Sequence, residues 1–141
     1  MLIVDLKYLL YMKVIGRGIM RKIKFRVWTY EDKEIIPWED VKKIPLYNII
    51  EDVNESYQLL QYTGVEDKNR KEIYEGDIVK YKGGSHIVSF HRGAWILKKV
   101  GKLSFHFLLE LFGLERKDNM YFNDLVEVIG NLYDNPELLE D

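Results

Sequence analysis

The 141-residue chain contains no cysteine and only three prolines. It has no uninterrupted apolar run of the roughly 20 residues that a membrane span needs. Without cysteine there is no disulfide framework and no thiolate metal site, and the redox compartment is left open. Catalytic patterns are missing as well. His86, His91 and His106 include no pair at the helical spacing with glutamate that zinc hydrolases use. Gly83-Gly84-Ser85 lacks the lysine and following helix of a phosphate loop. Ser56, Ser85, Ser89 and Ser104 have no nucleophile elbow around them. These absences point to a protein that is not an enzyme and calls for no cofactor and no metal. What is present suits one globular domain: 47% hydrophobic, 31% charged and 13% aromatic residues, with a formal net charge of -2. That charge alone does not attract a polyanion.

The first nineteen residues, MLIVDLKYLLYMKVIGRGI, differ from the rest. Asp5, Lys7 and Lys13 break their apolar stretches, and no ordered signal-peptide pattern is present. One reading is a helix with Leu2, Leu6, Leu9 and Leu10 on one face. The other starts from codons, since Gly16-Arg17-Gly18 can be encoded by a purine-rich tract just upstream of Met20. On that reading Met20 is the natural start and residues 1–19 are translated leader, so the domain comprises residues 20–141.

From Arg21 the period is two. Ile23, Phe25 and Val27 alternate with Lys24 and Arg26, which predicts a half-buried strand. Ile35-Ile36-Pro37 predicts an edge strand ended by proline. Leu46, Ile49, Ile50 and Val53 fit a helical turn or a short strand. Tyr57 to Tyr62 is a strand, and residues 63–70 read as a polar loop turned at Thr63-Gly64. Residues 77–81, 86–90 and 94–97 predict three strands of a meander, joined by turns at Gly83-Gly84 and Arg92-Gly93. Residues 102–112 start as a strand and permit a helix ending at Gly113. A last strand over 125–129 stops at Gly130, before a turn at Asn135-Pro136. The expected class is mainly β with minor α, a small SH3-like or pseudo-barrel domain with a short helical segment.

Two groups of side chains invite functional readings. Glu66, Asp67, Glu72, Glu75 and Asp77 interleave with Lys68, Arg70 and Lys71, and read as a solvated, self-neutralising loop rather than an acid–base pair. His86 and His106 share strand parity with polar neighbours and are expected to face water. The charge map is more uneven. Between Ile78 and Leu109 there is no acid, whereas Lys80, Lys82, Arg92, Lys98, Lys99 and Lys102 fall there with Tyr81, Phe90, Trp95 and Phe105 between them. Cations for phosphates and rings for bases are what a single strand or RNA needs. The candidate contact residues are therefore Lys80, Lys82, Arg92, Trp95, Lys98 and Lys99. From Glu110 onward nine acids stand against Arg116 and Lys117. The alternative is that this acidic part covers the basic meander, within one chain or across a homo-oligomer.

Three stretches carry a family resemblance: RKIKFRVW at 21–28, LQYTGVEDKNRKEIYEGDIV at 60–79, and VEVIGNLYDNPELL at 126–139. In order and spacing they resemble the YopX family of bacteriophage and prophage proteins. The chain departs from the family pattern with Val27 for alanine, Val65 for leucine and Glu66 for lysine. Arg70 stands where the family carries glycine. The resemblance implies a predominantly β domain of phage origin, a start at Met20, and no catalytic residues to carry over. The expectation that follows is a non-enzymatic interaction module in the cytoplasm of a bacterial host, self-associating through exposed strand edges, with a host or phage protein as partner and no membrane. The alternative is a regulator that binds single-stranded nucleic acid or RNA through residues 80–102. A carboxylate hydrolase is the weakest reading.

Overall fold

The computed structural model describes Leu6 and residues 22–51, 55–99, 105–107 and 126–140. The leader reading of residues 1–19, the helix ending at Gly113 and the orientation of His106 lie outside what is described. Strand β1 (Phe25–Thr29) forms within the expected stretch but not with the expected alternation, since Val27, Trp28 and Thr29 are all buried and Ile23, before the strand, is 60% exposed. It leads through a polar turn to β2 (Glu34–Ile36), an edge strand closed by Pro37. Two short helices come next, α1 (Trp38–Val41) and α2 (Leu46–Glu51), where the sequence left helix and strand open.

Strand β3 (Tyr57–Glu66) is longer than the sequence suggested. The expected turn at Thr63-Gly64 is a shift in register between the pairs Tyr62–Tyr74 and Glu66–Glu72. Gly64, at φ +92°, lets the strand bulge there and continue. Strands β4 (Glu72–Tyr74), β5 (Asp77–Tyr81), β6 (Gly84–His91), β7 (Ala94–Lys98) and β8 (Phe105–Phe107) follow. The β5–β6 turn is centred on Lys82-Gly83, one residue before the expected Gly83-Gly84, because Gly84 already pairs with Tyr81. Both turn residues have positive φ (+48° and +75°), the geometry of a primed hairpin turn. Arg92-Gly93 repeats it between β6 and β7, as expected.

Strand β9 (Glu127–Asn131) does not stop at Gly130. It runs through that glycine, and the 3-10 turn Pro136–Leu139 folds back onto it. A side chain at Gly130 would meet Asn135 Oδ1 at 2.6 Å and Leu138 Cδ1 at 2.8 Å, so close approach of the tail requires glycine there.

The strands form two antiparallel sheets, in the orders β2-β1-β3-β4 and β8-β7-β6-β5-β9. The protein is mainly β with a short helical segment, and its sheet curls into an SH3-like half-barrel that does not fully close. Two apolar clusters hold it together. Ile73, Val79, Tyr81, Val88, Trp95, Leu97 and Val126 fill the meander side. Val27, Val41 and Ile49 join β1 to the two helices, with Phe25, Ile36, Trp38, Tyr57 and Leu59 packed around them. Burial of these side chains contributes about 1.5–3 kcal/mol apiece before the entropy of ordering is counted.

Candidate functional site

The register does not bring the expected basic site together. Lys80 pairs laterally with Ser85 and Glu127, and Lys98 with Ile87 and Phe105. Directly opposed residues share a face, and these pairings put exposed Lys80 and Lys98 on the same side of the meander. Lys82 and Arg92 occupy the two turns at opposite ends of the eight-residue β6, roughly 26 Å apart. Lys82 lies with Nζ 5.4 Å from the Tyr81 ring centroid. Lys99 is half-buried and reaches over Gly84, its Nζ 3.1 Å from where a Cβ would stand. Trp95 is 8% exposed and belongs to the core, edge-on to Phe90 at 4.9 Å. The ring that faces water on this hairpin is Phe90, 51% exposed. Glu127 adds an acid beside Lys80, bound to Lys68 at 2.6 Å. His86 is buried rather than facing water, with Nδ1 3.1 Å from the Gly84 carbonyl oxygen.

The acid-rich loop also differs from expectation, because two of its five carboxylates are buried. Asp67 Oδ1 accepts the backbone N–H groups of Asn69 and Lys71, and Oδ2 accepts that of Val128. One side chain thereby closes its own turn and ties it to β9. Asp77 accepts Arg26 Nη2 at 2.5 Å and the Tyr74 N–H at 2.8 Å. The Arg26 guanidinium lies 4.1 Å from the Tyr74 ring centroid. Tyr74 donates its hydroxyl to Glu72, which also binds Lys24 Nζ at 2.6 Å. Burial, then the Glu72 carboxylate, push the Tyr74 phenol far above its ordinary range. Among the described residues, no group of three histidines and acids is placed to hold a metal. These acids join strands to one another.

A surface that sequence reasoning missed lies on the other sheet. Pro37 starts α1, and Lys42–Glu39 and Lys43–Asp40 ion pairs cover its outer side. Helix α2 then buries Ile49 against Val27 and Val41. It leaves Leu46 60%, Tyr47 65% and Ile50 58% exposed, and Ile44 just before it 38%. Beside them opens a cavity of about 350 Å³ lined by Val27, Ile36, Ile44, Asn48, Ile49 and Tyr57. Five of these six residues have apolar or aromatic side chains; Asn48 supplies an amide. The signal in the sequence was the run Ile44 to Ile50, which carries more apolar residues than one helical face can bury.

Fold and surface together define a small half-barrel domain that presents exposed apolar side chains on a short helix. Residues 24–140 match the YopX protein family, and the chain belongs to that family. Among solved structures, the crystal structure of protein EF1440 from Enterococcus faecalis is similar, at 24% sequence identity and a TM-score of 0.52. The similarity covers 84% of this chain and 98% of that one, and bears on the fold alone. No curated protein matches the chain.

Proposed function

We propose that this YopX-family chain is a non-enzymatic phage or prophage accessory protein that acts by binding another protein through the α2 surface. The observation that carries the reading is the concentration of exposed apolar side chains at Ile44, Leu46, Tyr47 and Ile50 beside an open apolar cavity. Contiguous exposed apolar surface rimmed by charge is the usual mark of a contact site. Among the described residues no helix is long and apolar enough to cross a membrane. The proposed place of action is the cytoplasm of the bacterial host. Affinity capture from host cells tests the reading, with wild type and Ile50→Glu compared for protein and for nucleic acid. The expected result is a specific protein lost from the Ile50→Glu sample. Retention of every captured protein by that variant contradicts the reading.

A second reading, single-stranded nucleic acid or RNA on the meander, has one observation in its favour. Lys80 and Lys98 are exposed on one face. Against it, Trp95 belongs to the core and Glu127 shares the Lys80 row. Double replacement Lys80→Glu with Lys98→Glu is expected to leave nucleic-acid recovery unchanged. A steep, salt-dependent loss would instead favour this second reading.

A further inference from the structure

We draw no further inference here: the strongest candidate, the exposed apolar side chains of α2 beside the cavity lined by Val27, Ile36, Ile44, Asn48, Ile49 and Tyr57, belongs to the site already described, and nothing in the structure shows what covers it.

Discussion

Arg26 on β1 and Asp77 at the head of β5, 51 residues apart in the chain, meet at 2.5 Å and join the two sheets. The Asp77 side chain is 2% exposed and that of Arg26 17%. Truncating one partner of a buried pair leaves the other charge uncompensated, at a cost of about 3–5 kcal/mol. Asp77→Ala is therefore expected to lower the unfolding free energy by that amount in urea titrations. For a domain of ordinary stability this is a large part of the total.

The same group sets a pH response of uncommon sign. Burial raises the Asp77 carboxyl above its ordinary 3.8 even with Arg26 beside it, and burial raises Glu75 above 4.5. A carboxyl with a raised folded pKa takes up its proton in the folded state first. Its contribution to stability therefore grows as pH falls through the raised value, and levels off below the unfolded pKa. Glu75→Gln removes its share, and should be more stable than wild type at neutral pH by less than about 1 kcal/mol. That advantage should shrink as pH is lowered toward 4.5, the ordinary value for the group. Paired denaturation curves at several pH values give the comparison.

Asp67 and Lys68 are neighbours with unequal expected effects. Asp67 binds three backbone N–H groups, one of them on β9. Asp67→Ala leaves those donors without their acceptor and should cost about 3 kcal/mol or more. Lys68 forms an exposed ion pair with Glu127, and Lys68→Ala should cost less than about 1 kcal/mol. Chemical denaturation of the two variants side by side measures the difference.

Arg70 holds φ +61°, a left-handed conformation that costs a side-chain-bearing residue about 1–2 kcal/mol. Arg70→Gly relieves that strain but loosens the unfolded chain, so a net gain of up to about 1 kcal/mol is expected. Gly130→Ala should do the reverse, costing about 1–3 kcal/mol through the clash with Asn135 and Leu138. Melting temperatures of both variants against wild type check the two signs.

Much of the fold was legible because its signals are local. The proline that ends β2 and the Arg92-Gly93 reversal each lie within a few residues. His86 was expected to face water beside polar neighbours, yet on β6 it shares parity with buried Val88, and alternation sets both toward the core. His86 in fact pairs with Val79 and is buried. Asp67 and Asp77 looked solvated because their polar neighbours are adjacent in sequence, whereas Val128 and Arg26 are not. Trp95 read as a stacking ring, but it shares its face of β7 with Leu97 and is buried with it and Val88 in the core. The α2 surface escaped notice because the apolar residues that follow Pro45 fit helix and strand alike. Only the packing of Ile49 shows which of its neighbours are left outside.

The most direct test of the protein-binding account is site-specific photo-crosslinking in host cells, with a photoreactive residue at position 47 or at position 98. Protein adducts at position 47 that survive nuclease treatment, with none at position 98, are the expected result. Adducts confined to position 98 and removed by nuclease would contradict the account.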